Sequence, residues 1–140
     1  MKTIKKLSLT FTLAFLCAFF TACGTFEVPG TYKIYKIDLL IQTKPINWDA
    51  HCGGDYEFRL EANGKATVSY IYITDHAGDR NYQAHPGSGV LDYSTSGGKL
   101  LLDGKLGLGT LDIDIYDGWI ILSYEIENEV IYIAQYRKTA

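Results

Sequence analysis

The pair of side chains best suited to nucleophilic chemistry in this 140-residue sequence is His51–Cys52. A cysteine thiol becomes a strong nucleophile when a neighbouring imidazole takes its proton. Adjacent residues of an extended segment point to opposite sides of the backbone, however, so sequence neighbours rarely form such a dyad. The chain also lacks a Gly-x-Ser-x-Gly nucleophile turn and a glycine-rich phosphate loop. We therefore predict no enzymatic activity and no catalytic residue.

Carboxylates and imidazoles are the other side chains that could do chemistry, by holding a metal ion. A zinc site needs three or four converging ligands, and no recognised ligand spacing is present. Asp112, Asp114 and Asp117 lack the spacing of an EF-hand calcium loop, and strand alternation accounts for them. We therefore expect no metal and no cofactor. The loop residues considered and set aside are Asp49, His51, Asp75, His76, Asp79 and His85.

Tyrosine is the side chain that the sequence uses most distinctively, with 11 tyrosines against six phenylalanines. A tyrosine joins an apolar ring to a polar hydroxyl, which suits cavity walls, barrel rims and wet interfaces. Either the strand tyrosines line a cavity for a small apolar or amphipathic ligand, or their rings fill the interior of the fold. Trp48, in the first long loop, either contacts such a ligand or anchors the loop. The candidate ligand-binding residues are Trp48, Tyr70, Tyr72, Tyr124 and Tyr132.

The first 22 residues have the three-part pattern of a secretory signal peptide. Three lysines precede an apolar run from Leu7 to Phe20, and the small residues Thr21 and Ala22 follow it. As a helix, the apolar run would span about 21 Å, which is less than the ~30 Å hydrocarbon core of a bilayer. A cleaved signal peptide over residues 1–22 is therefore favoured over a permanent transmembrane helix.

The segment Phe20-Thr21-Ala22-Cys23 resembles the lipobox of bacterial lipoproteins, in which a large apolar residue and two small ones precede a cysteine. The resemblance implies that Cys23 carries a lipid and that residues 23–29 are the lipidated cysteine and a short tether. Two or more acyl chains anchor a protein stably to a membrane. Because no Asp follows Cys23, the resemblance also implies the outer membrane, with the domain facing the periplasm. The alternative is ordinary signal cleavage that leaves Cys23 as a free thiol.

Loss of the signal peptide would change the charge and the cysteine inventory of the chain. It removes three of the 13 basic residues and none of the 16 acidic ones, so the formal net charge moves from −3 to −6. This charge, with a pI near 5.5 and no basic block, argues against a nucleic-acid partner. Cys17 leaves with the signal peptide and Cys23 takes the lipid, so Cys52 has no partner for an intramolecular disulfide.

From residue 30 to residue 140 the pattern predicts one all-β domain of about eight strands. Apolar and polar residues alternate most clearly at Leu111, Ile113 and Ile115, and Asn63-Gly64 and Asp117-Gly118 are strong turn signals. The predicted strands are 32–43, 56–60, 65–73, 90–94, 99–102, 111–115, a segment between Gly118 and Asn128, and 130–137.

Two longer segments, 44–54 and 74–89, have no regular pattern and are predicted to be loops. The second is either a functional loop at the mouth of the fold or a disordered segment. A two-residue turn at Asp117-Gly118 would pair Tyr116 with Trp119.

Short strands joined mostly by tight turns are typical of a small antiparallel barrel or sandwich. We favour an up-and-down barrel, because closure removes the unpaired sheet edges that invite aggregation. Eight strands enclose an interior that is either just filled by side chains or able to hold one small ligand.

The segment 30–138 resembles the short lipocalin-like domains of Gram-negative bacterial lipoproteins. Gly30-Thr31-Tyr32 stands where lipocalins have Gly-x-Trp, and the likeness continues through Tyr56 to Lys65, Gly89 to Tyr93 and Gly98 to Leu102. The resemblance implies a barrel whose first-strand aromatic packs under a cation from the last strand. Here those parts fall to Tyr32 and Arg137, a structural cation–π pair that closes the base of the barrel.

Two functional hypotheses follow from these observations. The first is a lipid-anchored lipocalin-like barrel that binds a small apolar or amphipathic molecule. The second is a structural or protein-interaction lipoprotein whose filled barrel docks an envelope partner, with Trp48 and Trp119 as contact residues. Beyond the lipid anchor on Cys23, neither hypothesis identifies the partner.

Overall fold

The computed structural model describes residues 27–139. The predicted signal peptide and the predicted lipid attachment at Cys23 lie outside the described residues. Within residues 27–139, no helix has the length and apolar character needed to span a membrane. The described chain forms β1 (Gly30–Leu39), α1 (Trp48–His51), β2 (Glu57–Leu60), β3 (Lys65–His76), β4 (Asn81–Ser96), β5 (Lys99–Asp103), β6 (Thr110–Tyr116), β7 (Trp119–Ile126) and β8 (Glu129–Lys138).

The eight strands form one closed antiparallel barrel in which each strand pairs with its sequence neighbours and β8 closes onto β1. The all-β up-and-down architecture predicted from the sequence is therefore confirmed. Strand direction alternates around such a barrel, so its connections gather at two ends. The proximal end, where the chain enters β1, carries turns 61–64, 97–98 and 117–118; the distal end carries α1 and turns 77–80, 104–109 and 127–128.

The hairpin of β6 and β7 shows how the sequence specifies this barrel. Tyr116 pairs with Trp119 and Ile115 with Ile120 across the Asp117-Gly118 turn, as predicted. Gly118 has a φ of 86°, a left-handed conformation that glycine adopts without steric cost. Inward and outward residues then alternate along the whole of β7, which places every second side chain in the core.

The predicted loop over residues 74–89 is wrong. β3 continues to His76 and β4 begins at Asn81, so a four-residue turn replaces the loop. The apolar alternation is missing because a neighbouring strand supplies the apolar surface: the Tyr72 ring covers Gly87, where a Cβ atom would lie 2.6 Å from Tyr72 Cε1. Backbone pairing from Lys65–Asp92 to His76–Asn81 holds this segment in the sheet, and Tyr82 and Ala84 are its buried apolar side chains.

The first strand ends at Leu39 rather than at Thr43, and the predicted loop 44–54 contains the single-turn helix α1. Ile46 fixes this loop to β4, because its backbone N–H donates to Tyr82 O at 2.8 Å and its carbonyl accepts from Ala84 N at 2.8 Å. Trp48 follows two residues later and is buried against the distal end of the barrel.

Candidate functional site

The structure brings four of the five predicted ligand-binding residues together inside the barrel. The ring of Tyr124 stacks on that of Tyr132 with 5.2 Å between centroids and 11° between planes. Tyr70 lies 6.2 Å from Tyr124, and Trp48 lies 5.4 Å from Tyr132. Rings at these separations are in contact with each other, so this part of the interior is occupied by side chains.

Tyr72, the fifth predicted residue, is not part of this cluster. Its half-buried ring stacks on His85 with 5.0 Å between centroids. His85 Nε2 in turn lies 2.9 Å from Thr74 Oγ1. Tyr72 therefore belongs to the packing of β3 against β4, outside the row of interior tyrosines.

Tyr136 and Phe58, which were not among the predicted site residues, extend the filled interior toward the proximal end. Their rings meet at 4.7 Å, and neither residue is more than 1% exposed. The signal for Tyr136 was present, because it stands two residues after Ala134 and four after Tyr132 on the same face of β8. Aromatic rings therefore line the barrel interior from Phe58 to Trp48.

The hydroxyls of two buried tyrosines of β8 donate to backbone carbonyls of β3. The Tyr132 hydroxyl donates to Ile71 O at 2.7 Å, and the Tyr136 hydroxyl donates to Ser69 O at 3.0 Å. Burial raises the pKa of both hydroxyls well above the ordinary value of 10.0. These two hydroxyls are therefore neutral, and each uses its proton in a hydrogen bond to the backbone of β3.

The hydroxyls of Tyr70 and Tyr124 accept hydrogen bonds from the turn 104–109. Leu106 N donates to the Tyr70 hydroxyl at 2.6 Å, and Gly109 N donates to the Tyr124 hydroxyl at 3.1 Å. Ile73 N also donates to the Tyr124 hydroxyl, at 3.0 Å. Tyr70 and Tyr124 thus hold the turn in place, and their hydroxyl oxygens are occupied by backbone donors of the barrel.

A cleft on the side of the barrel separates β5 from β6. The two strands share one residue pair, Lys99–Asp114, and diverge toward the distal end. The cleft has a volume of about 390 Å³. Its lining is mostly aliphatic; Leu101 is 49% exposed, and Lys105 lies in the turn 104–109. The lining residues are Leu100, Leu101, Leu102, Gly104, Lys105, Thr110, Leu111 and Ile113.

A second depression, of about 470 Å³, lies at the distal end between residues 41–45 and the turn that precedes β4. Its cations are already paired: Lys44 Nζ lies 3.1 Å from Asp49 Oδ2, and Arg80 pairs with Glu129. The depression therefore presents charges that neutralise each other, and it gives no preference for a cationic or an anionic ligand.

The predicted closing pair of Tyr32 and Arg137 is wrong by one residue. Tyr32 is paired in register with Lys138, whose Nζ lies 5.9 Å from the Tyr32 ring centroid. Arg137 alternates to the outer face, where its guanidinium lies 5.8 Å from the Trp119 ring centroid. The cation over the first-strand aromatic is therefore a lysine, and Arg137 belongs to the surface.

The nucleophile and metal candidates lie apart from one another. Cys52 caps α1, and its thiol lies 3.8 Å from Asp49 O. Lys99 Nζ bridges the aligned carboxylates of Asp112 at 2.8 Å and Asp114 at 2.6 Å. Among residues 27–139, no three histidine, cysteine or acidic side chains converge on a common point.

Comparison with known proteins finds a likeness among solved structures. No protein-family model matches the chain, and no curated protein matches it. A solved structure, the fatty-acid-binding protein 1 of Echinococcus granulosus, is similar with a TM-score of 0.45 and 11% sequence identity, covering 80% of this chain and 97% of that chain. The strand pairing described above establishes the closed eight-stranded barrel independently of that likeness.

Proposed function

We propose that this chain is a lipid-anchored lipoprotein of the outer membrane, facing the periplasm, that acts as a docking module through its outer surface. We propose no enzymatic activity for it. The observation that carries the proposal is the filled interior, in which Tyr124 and Tyr132 stack and donate or accept hydrogen bonds within the barrel. A barrel whose interior is occupied by its own rings has to meet its partner from outside.

The lipid anchor is supported by the lipobox-like segment that ends at Cys23. We expect acyl-chain labelling of the full chain in a Gram-negative host to be abolished by Cys23→Ser. Cys52→Ser is the matched control. Cys52 is half-buried in the distal loop, and a variant that lacks it still has Cys23 and should still be labelled. Labelling that survives Cys23→Ser, or that is lost with Cys52→Ser, would contradict the anchor.

The side cleft between β5 and β6 is the docking site that the geometry favours. Its floor is formed by Leu100 and Ile113, each 3% exposed. Beyond the single pair Lys99–Asp114, the described residues of the two strands form no further ladder with each other. An extended segment of a partner protein can bind such an edge with backbone hydrogen bonds while its apolar side chains contact the leucines.

A small amphipathic ligand in the same cleft is the second candidate function. The aliphatic lining suits an apolar chain, and Lys105 in the turn 104–109 supplies a cation for an acidic head group. The volume of about 390 Å³ lies in the range of ligand pockets. In this case the barrel would still carry its ligand on the side and not inside.

Site-specific cross-linking in cells distinguishes the two candidates. A photoreactive residue at position 101 replaces Leu101 in the cleft, and one at position 90 replaces Val90, which is exposed on β4 and does not line the cleft. Docking of a protein predicts a cross-link from position 101 to one extended peptide segment, and none from position 90. Equal capture at both positions, or capture at neither, would contradict the cleft as the docking site.

A further inference from the structure

Four side chains on the outer face of the proximal end form one row across four strands. Lys33 on β1 pairs with Arg137 on β8, Arg137 pairs with Trp119 on β7, and Trp119 pairs with Tyr116 on β6. Directly paired residues in an antiparallel sheet point to the same face. The row therefore presents two cations and two aromatic rings side by side.

Tyr35 extends this row into a surface band. It lies at an irregularity in the pairing of β1 with β8, and its ring meets that of Trp119 edge-to-face at 5.4 Å. Tyr35 is 61% exposed and Tyr116 is 54% exposed. Among the exposed large apolar side chains of residues 27–139, these two are the tyrosines; the others are aliphatic. We call Lys33, Tyr35, Tyr116, Trp119 and Arg137 the proximal band.

The proximal band lies at the end of the barrel where the chain arrives from Cys23. Lys138 Nζ donates to Glu27 O, and the Tyr32 hydroxyl donates to Val28 O at 2.7 Å, which fixes the start of the described chain beside β8. Three residues lie between Cys23 and Glu27 in the sequence. Because consecutive Cα atoms are 3.8 Å apart, a chain of this length reaches at most about 15 Å from Glu27.

We propose that the proximal band is a lipid-contact surface, seated in the phospholipid headgroup layer of the membrane that holds the anchor. This inference rests on the proposed lipid attachment at Cys23, since that attachment brings the proximal end to the bilayer. Tryptophan and tyrosine prefer the headgroup region because their rings are apolar and their tips are polar. Arginine and lysine bind lipid phosphates there.

The charges of the band fit this role. Within the described part of the chain, Arg137 forms no ion pair with a carboxylate, so its guanidinium is available for a phosphate. Lys33 Nζ lies 3.7 Å from Glu57 Oε1, a loose contact with both side chains partly exposed. Glu57 and Asp117, the latter in the turn beside Tyr116, are acidic neighbours of the band. The rings therefore supply the contact, and the cations orient it toward phosphates.

The chain carries its own internal control, because it has two tryptophans at opposite ends. Trp119 belongs to the band, whereas Trp48 is 5% exposed at the distal end. The full chain, purified from host membranes, is reconstituted into vesicles of phosphatidylcholine and phosphatidylglycerol with a nitroxide quencher on the headgroup. Wild-type protein and the variant Trp119→Phe are compared, and their difference reports the emission of Trp119.

The lipid-contact surface predicts that the quencher removes most of the Trp119 emission and leaves the Trp48 emission unchanged. Arg137→Gln should weaken this quenching most in vesicles rich in phosphatidylglycerol. Unquenched Trp119, or equal quenching of both tryptophans, would overturn the inference and assign the band to a protein partner. Intact mass of the same sample separates the two proposals: a chain without acyl mass contradicts the anchor, whereas an acylated chain with unquenched Trp119 contradicts only the lipid contact.

Discussion

The buried hydroxyl of Tyr132 supports the proposal that no ligand enters the barrel interior. Its ring is 1% exposed and stacked on Tyr124, and its proton is donated to Ile71 O. A buried polar group that already has its partner gains nothing from a ligand and would lose a hydrogen bond to admit one. The same reasoning holds for the Tyr136 hydroxyl, which donates to Ser69 O.

We expect Tyr132→Phe to lower the free energy of unfolding by about 1–3 kcal/mol, because it leaves the buried Ile71 carbonyl without its donor. Tyr116→Phe is the control: that side chain is 54% exposed, so the change should stay within about 0.5 kcal/mol. Urea denaturation of the three proteins measures both values. Equal stability of Tyr132→Phe and the wild type would contradict the hydrogen-bonded interior.

The buried tyrosines also set the alkaline limit of stability. Burial raises the pKa of Tyr70 to about 12, from 10.0 in an exposed tyrosine. Between these two values the unfolded state binds fewer protons than the folded state, so the stability present in full below pH 10 falls as pH rises toward the folded pKa. We expect tyrosinate absorbance to appear in two steps, with the buried set ionising only as the barrel unfolds. A single step near pH 10 with the fold intact would contradict this burial.

The sequence could predict that the tyrosines matter, but not whether their rings fill the barrel interior or line a ligand cavity. Tyr132 and its acceptor Ile71 are 61 residues apart, and Tyr124 and its donor Ile73 are 51 apart. No local pattern connects partners at that distance. The same limit explains the misplaced closing cation, because the register of β1 on β8 decides between Arg137 and Lys138.

The turn 104–109 is the element that most depends on side chains remote in sequence. Leu108 N donates to Ile73 O at 3.0 Å, and the hydroxyls of Tyr70 and Tyr124 accept from the backbone of Leu106 and Gly109. The turn is therefore packed on the barrel and is part of its closure. Its glycines allow this close approach.

We expect Gly109→Ala to lower the free energy of unfolding by about 1–3 kcal/mol, through overpacking. A Cβ atom at Gly109 would lie 2.3 Å from Tyr124 Cε1, so the ring or the turn must move. Gly53→Ala is the control, since no atom lies within 4 Å of its Cβ position, and its stability should be unchanged or raised by up to about 1 kcal/mol. Equal effects at both glycines in thermal unfolding would show that the turn is not packed on Tyr124.

The strands differ in how well their own residues reveal them. β6 and β7 were predictable because each carries its own alternation and a two-residue turn joins them. The first half of β4 was not, because its buried apolar residues are Tyr82 and Ala84, while Gly87 and Gly89 are covered by Tyr72 and Leu106 from outside the segment. When residues outside a strand cover its inner face, the strand itself shows little apolar alternation and cannot be recognised from its sequence.

The whole molecule places its two candidate surfaces at different distances from the start of the chain. The proximal band lies beside Glu27 and Val28, whereas the side cleft opens toward the distal end, where β5 and β6 diverge. In the proposed anchored state the band meets the membrane while the cleft faces the periplasm. Membrane contact and partner binding would then occur on separate parts of one barrel.

A barrel interior filled by its own side chains admits no ligand, and native mass spectrometry can detect a ligand that the protein holds. A soluble form beginning at Gly24 is expressed in a Gram-negative periplasm and weighed before and after denaturation, beside the cleft variant Leu101→Asp. We expect the bare polypeptide mass, or a mass excess that Leu101→Asp abolishes because the ligand sits in the cleft. A mass excess that disappears on denaturation but persists in Leu101→Asp would place the ligand among the interior tyrosines and would show that the interior is open to it.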